Sequence, residues 1–149
     1  MQRAWDRHDR LSVIGAVAVS PQRRRLGFYF QVWPENIRTD EMETFLTAMH
    51  HYYRRRVILV WDRYSVHRST ARRLQRQHPE WFDIEWLPAY APELNPVEQG
   101  WNHTKYAELP NFIPRNVNHL EKAITAAMSK HQRSQPLLRS FFQYAKLRL

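Results

Sequence analysis

The chain has 149 residues, enough for one domain with a substantial core, and its 23 Lys and Arg against 14 Asp and Glu give a formal charge of +9. That surplus favours a polyanionic partner, nucleic acid ahead of an anionic membrane surface. With no cysteine, disulfides and thiolate metal centres are excluded and a reducing compartment fits, while no apolar stretch approaches the roughly 18 residues of a membrane-spanning helix.

The start, Met1 to Arg10 followed by the apolar run Leu11 to Val19, imitates a short signal peptide. Asp6 and Asp9 spoil its positive n-region and Pro21 sits at the would-be cleavage site, so the run is read instead as a strand. Residues 11–19 and 25–33 form a hairpin around Ser20-Pro21-Gln22. Residues 39–55 follow as a helix, with Thr39 as N-cap and Met42, Phe45, Leu46 and Met49 on one face. Val57 to Trp61 reads as a fully buried strand, 69–78 as a helix stopped by Pro79, and 84–87 as a short strand. A helix starting at Glu93 or Asn95 runs to about Ala107 with Pro96 in its first turn, where a missing N–H costs little. Two more helices, 117–131 and 137–147, follow the loop at 109–114. The order β, β, α, β, α, β, α, α, α implies an α/β fold with mixed pairing, a hairpin first and a strand–helix crossover after it.

Two acids stand out, 36 positions apart: Asp62 closes the apolar run Val57-Ile58-Leu59-Val60-Trp61, and Glu98 opens a helix after a Pro-punctuated loop. An Asp after a strand is also a common turn opener, and a Glu in a first turn gains about 0.3–1 kcal/mol from the helix dipole. Carboxylates delivered by a strand end and a helix start nevertheless suit divalent cations, which take oxygen ligands and can clamp both oxygens of a phosphoryl transfer. His67, five residues after Asp62, either orders such a site and contacts phosphate or packs the next helix. Lys105, seven after Glu98, lies two helical turns on and on the same side. Asn95 is a helix cap or a positioner of Glu98, while Glu93 and Asp83 read as surface residues. Arg23 to Arg25, Arg54 to Arg56, Arg68, Arg72, Arg73 and Arg76 are collective candidates for phosphate contact. His50 and His51 are adjacent and make a poor metal pair; Trp61, Trp86 and Trp101 read as core, with Trp5 and Trp33 as lesser candidates for stacking on bases.

The stretches Trp61-Asp62-Arg63-Tyr64-Ser65-Val66-His67-Arg68-Ser69 and Leu87-Pro88-Ala89-Tyr90-Ala91-Pro92-Glu93-Leu94-Asn95-Pro96-Val97-Glu98-Gln99-Gly100-Trp101-Asn102-His103-Thr104-Lys105 resemble the catalytic core of DDE-type insertion-sequence transposases, the mariner-related branch. The resemblance extends over residues 8 to 130 or so and implies a ribonuclease-H-like mixed sheet flanked by helices, as one domain over 1–149 with 115–149 as its C-terminal helical part. It implies DNA strand cleavage and strand transfer with Mg²⁺ or Mn²⁺ held by Asp62 and Glu98, and DNA contacts from Lys105, His67, Arg68 and Arg72. The family's first catalytic Asp lies on a central strand ahead of the hairpin, and no room for that strand precedes residue 11. One of three remedies is expected: direct pairing of the strands at 11–19 and 57–61, donation from another copy, or completion by an upstream transposase segment. Asp6 or Asp9 is a weak substitute ligand. The alternative is a catalytically inactive DNA-binding or assembly module of a split transposase; a nuclease that cuts without rejoining reads the same. The resemblance places the protein in the cytoplasm, on the nucleoid when bound to DNA, and not in a membrane.

Overall fold

The computed structural model describes residues 10–149, which form two compact units, residues 10–36 with Pro96–Leu149 and Ile37–Asn95. The expectations for Asp6, Asp9 and Trp5 fall outside the described residues. In chain order the elements are β1 (Ser12–Val19), β2 (Leu26–Trp33), α1 (Thr39–Tyr53), β3 (Val57–Trp61), α2 (Ser65–Gln77), β4 (Phe82–Trp86), a 3₁₀ turn (Pro92–Leu94), α3 (Pro96–His103), a π-helical turn (Thr104–Glu108), α4 (Val117–Arg133) and α5 (Gln135–Tyr144). The fold is mixed α/β, and the hairpin and the parallel β3–α2–β4 crossover appear in the expected order.

In the first unit β1 and β2 pair antiparallel, from Ser12 opposite Trp33 to Val19 opposite Leu26. The turn closes through Ser20, whose Oγ accepts from the amides of Arg24 (3.2 Å) and Arg25 (3.1 Å), with Arg23 left-handed at φ 56°. Leu26 and Phe28 of β2 pack on Met128 of α4 and on Leu138, Phe141 and Phe142 of α5, and this is the core of the unit. Asn116 caps α4 by accepting from the His119 amide at 2.8 Å, and Ser134 caps α5 through the Leu137 amide at 3.3 Å. The outer edge of β2 is covered by side-chain amides. Gln135 Oε1 accepts from the Leu26 N–H (2.9 Å), its Nε2 donates to the Leu26 carbonyl (2.7 Å), and Gln132 Nε2 donates to the Phe28 carbonyl (3.0 Å). No strand pairs with the other edge of β1 among the described residues.

Two glycines set how α3 sits in this unit. A Cβ on Gly15 of β1 would come within 2.5 Å of the Trp101 ring, so the bare backbone is what lets the indole approach the strand this closely. A Cβ on Gly100 would meet Phe28 and Phe141 at 3.5 and 3.6 Å, ordinary contact. Opposite outcomes follow in urea unfolding. Gly100→Ala raises stability by about 0.5–1 kcal/mol, because the helix interior loses a flexible residue, while Gly15→Ala lowers it by about 1–3 kcal/mol through overpacking.

In the second unit the expected stripe of Met42, Phe45, Leu46 and Met49 is buried on α1. The helix begins one residue earlier than expected in its capping. Arg38, not Thr39, is the N-cap, and its N–H donates to Glu41 Oε2 at 2.8 Å, while Thr39 Oγ1 lies 2.6 Å from Ser69 Oγ of α2. Trp81 is sandwiched between the rings of His50 (4.1 Å) and His78 (3.7 Å), which gives the His50 ring a packing role. β3 and β4 pair parallel, Val57 with Phe82 through Trp61 with Trp86.

Several expectations are corrected. β3 is not fully buried: Ile58 and Val60 are 67% and 55% exposed, because alternate residues of a strand point to opposite faces of the sheet. Trp86 is exposed at 36%, whereas Trp61 is buried. α2 starts at Ser65 and not at residue 69 because the Asp62 side chain turns the chain directly after β3. β1 pairs with β2 within the first unit, and β3 with β4 within the second.

Candidate active site

Asp62 stands at the C-terminal end of β3, and its Oδ1 accepts from the Tyr64 N–H at 3.0 Å, an Asx turn that bends the chain into α2. The same oxygen lies 2.7 Å from His67 Nδ1, so the five-residue spacing of Asp62 and His67 is spanned by one tight turn. The His67 ring is itself fixed, stacked on buried Trp61 at 4.6 Å, and Trp61 stacks in turn on Trp86 at 5.8 Å. A strand end, a turn and an aromatic column therefore hold Oδ1 from one side, while Oδ2 has no hydrogen bond among the described residues. The carboxylate is 40% exposed, open enough to meet an ion or a phosphate.

Glu98 lies in the first turn of α3, half-buried, after Asn95 and Pro96. The helix that carries it is seated by Trp101 on Gly15, a contact with no sequence signal beyond a Gly inside an apolar strand. Asp62 belongs to the second unit and Glu98 to the first. Lys105 is exposed, its Nζ 5.3 Å from the centre of the Tyr106 ring. It does not lie two regular α-turns beyond Glu98 as expected, because the helix widens into the π-helical turn at Thr104.

Arg68 and Arg72 are exposed on α2, and Arg76 continues the row at the same four-residue spacing. Two other arginines are engaged by acids. Arg73 pairs with Asp40 and with Glu43 at 2.8 Å, and Arg56 Nε donates to Asp83 Oδ2 at 2.8 Å in a two-pronged pair. That pair raises the Arg56 pKa and lowers that of Asp83, chiefly through the hydrogen bond, and Asp83, exposed as expected of a surface residue, is thereby a partner for arginine. Glu93 is exposed, as expected.

Among the described residues no helix is long and apolar enough to cross a membrane. No curated protein and no solved structure matches the chain. A family model described as DDE superfamily endonuclease matches residues 2–121, a span that contains β1 through α3, both acids and His67. Over that span the chain belongs to the DDE superfamily endonucleases, with a catalytic domain of the DDE transposase type.

Proposed function

We propose that the chain is the catalytic core of a ribonuclease-H-like transposase of the mariner-related insertion-sequence branch, a single domain built from both units that cuts DNA and joins the cut end to a target. The observation that carries this reading is the Asp62 carboxylate at a strand end, with Oδ1 held by His67 and the Tyr64 N–H and Oδ2 left over for a further partner. Asp62 and Glu98 are the metal-holding acids, and their donors are all carboxylate oxygens, the set that Mg²⁺ or Mn²⁺ takes. When bound, the cation supplies charge neutralisation at the phosphate and activates the attacking oxygen. The protein's own share is positioning. His67 fixes Asp62, the seating of Trp101 on Gly15 fixes the helix of Glu98, and Lys105, Arg68, Arg72 and Arg76 neutralise phosphates.

Two carboxylates make a thin ligand set, and the third acid in this reading arrives on an added strand. The open edges of β1 and β3 among the described residues support that addition, by an upstream segment or another copy, since unpaired strand edges favour pairing. The test is a nicking and strand-joining assay with Mg²⁺ or Mn²⁺, run on residues 1–149 alone and with an upstream segment bearing an apolar strand that ends in Asp. Activity is expected only in the second case. DNA binding without cleavage in both cases establishes the inactive DNA-binding or assembly module instead. Robust cleavage by residues 1–149 alone refutes the added strand and directs attention to Asp6 and Asp9.

Binding itself is expected to be independent of sequence and steeply salt-dependent, with log affinity falling about 0.9 per phosphate neutralised. In fluorescence anisotropy, Arg72→Ala and Arg76→Ala each lower that slope by about 1. Unchanged slopes remove the α2 row from the DNA surface.

A further inference from the structure

His103 at the end of α3, Glu108 at the end of the π-helical turn and His131 on α4 converge inside the first unit, with one ligand atom from each lying within 4.8 Å of the others. The π-helical turn creates the convergence. Five residues along a regular α-helix carry a side chain about 140° around the axis, whereas one wider turn of five residues returns it close to its starting face. His103 Nε2 accordingly sits 3.4 Å from Glu108 Oε1. The second carboxylate oxygen, Oε2, is held at 3.1 Å by Lys130 Nζ, on a side chain that is mostly exposed. His131 is fully buried, its Nε2 3.4 Å from Thr104 Oγ1 and its Nδ1 without a hydrogen-bond partner. An imidazole nitrogen left unsatisfied in a dry interior costs about 1–3 kcal/mol.

The geometry points to a transition-metal site at His103, Glu108 and His131, taking one Zn²⁺-class ion through two imidazoles and one carboxylate oxygen, with a fourth position for water. Imidazole and carboxylate together are Zn²⁺ donors, and a tetrahedral site with bonds of about 2.0–2.1 Å brings its ligand atoms to about 3.3 Å of one another, a closure of about 1.5 Å from the widest separation here. Lys130 on Oε2 would hold the carboxylate so that Oε1 faces the ion, as partners outside the ligand set do at metal sites. The donor set is the wrong one for Mg²⁺, so this site and the oxygen-only acids Asp62 and Glu98 select different ions. Its role is a clip that pins the end of α3 to α4. The inference is independent of the transposase reading, since its ligands His103, Glu108 and His131 include neither Asp62 nor Glu98 nor His67.

The test uses residues 1–149 stripped with EDTA and titrated with Zn²⁺ by calorimetry and thermal unfolding, with Co²⁺ as a visible probe of low coordination. One equivalent of Zn²⁺ is expected to raise the unfolding midpoint, and Mg²⁺ at a hundredfold excess fails to displace it. The partly exposed ligands carry the mutational arm, because His131 is buried and its replacement risks the fold. His103→Gln and Glu108→Gln each weaken Zn²⁺ at least tenfold, and Asp62→Asn leaves it unchanged. The site is overturned if Zn²⁺ neither binds at one equivalent nor raises the midpoint, if both Gln variants bind as the parent does, or if Asp62→Asn abolishes binding.

Discussion

On the proposed transposase reading, with a third acid supplied, Asp62→Ala is expected to lower the metal-dependent cleavage rate by about 10³-fold, whereas His67→Ala is expected to lower it by about 10- to 100-fold. The first figure follows from the several kcal/mol of charge stabilisation that a bound metal supplies, since about 4 kcal/mol is a factor of about 10³ in rate. The second is the usual cost of losing a residue that orients a ligand without being one. His67 reaches Asp62 Oδ1 at 2.7 Å and leaves Oδ2 alone, so its removal frees the carboxylate to rotate but not to leave. The deficit of His67→Ala should therefore shrink as Mn²⁺ is raised, and His67→Gln, which keeps a donor, should recover part of it. Asp62→Ala should respond to neither. Single-turnover rates across a Mn²⁺ series decide the matter: equal and metal-insensitive losses in the two variants would make His67 a reacting group or a folding determinant, and no loss in His67→Ala would remove it from the site.

Folding stability measured in EDTA should fall by about 3 kcal/mol as the pH drops from 6.5 to 4, and His131 is the reason. Burial first, and then the neighbouring His103, lower its pKa from the ordinary 6.5 to about 4, with Glu108 opposing weakly. Phe28 and Phe141 flank the ring at 5.4 and 5.5 Å, and Thr104 Oγ1 is its polar neighbour. Above pH 6.5 the imidazole is neutral in both states, and the folded protein has its full advantage. Between 6.5 and 4 the unfolded chain takes up a proton that the core refuses, so the advantage is lost as the pH falls through that window and levels off below it. Urea unfolding from pH 8 to 4 measures the slope. His131→Gln, which has no proton to gain, should flatten it by about 3 kcal/mol over the window, and an unchanged slope in that variant would place the acid sensitivity elsewhere.

Where a local period governs the outcome, the sequence is readable. The α1 stripe from Met42 to Met49 and the hairpin around Ser20 follow from spacing and turn chemistry alone, and both stand where expected. Burial of β3 was illegible for the opposite reason. Val57 to Trp61 is apolar enough to be covered on both faces, but apolarity states a preference and not which element satisfies it, and Ile58 and Val60 remain exposed. The acids themselves could be nominated from their contexts, and the turn that brings His67 onto Asp62 could not, since it depends on an Asx bond that pulls α2 forward to Ser65. The cluster of His103, Glu108 and His131 is not legible from spacing, because Thr104 to Glu108 reads as ordinary helix. One signal was present: His131 follows Ala127 and Met128 on the apolar face of α4, an uncommon place for an imidazole.

The π-helical turn at Thr104–Glu108 also bears on how this chain lines up with its kin. Such a turn is an α-helix carrying one residue more than its register needs. A relative shorter by one residue between Thr104 and Glu108 would keep a straight α-helix in which the acid stands four residues after His103, still on its face, and everything after it would keep its bearing. A gap placed anywhere else in an alignment would then match residues that look alike and point in different directions. Insertion and deletion at this one turn is thus absorbed by its width, and a single-codon deletion at Ala107 straightens the helix while the side chains after it keep their bearing.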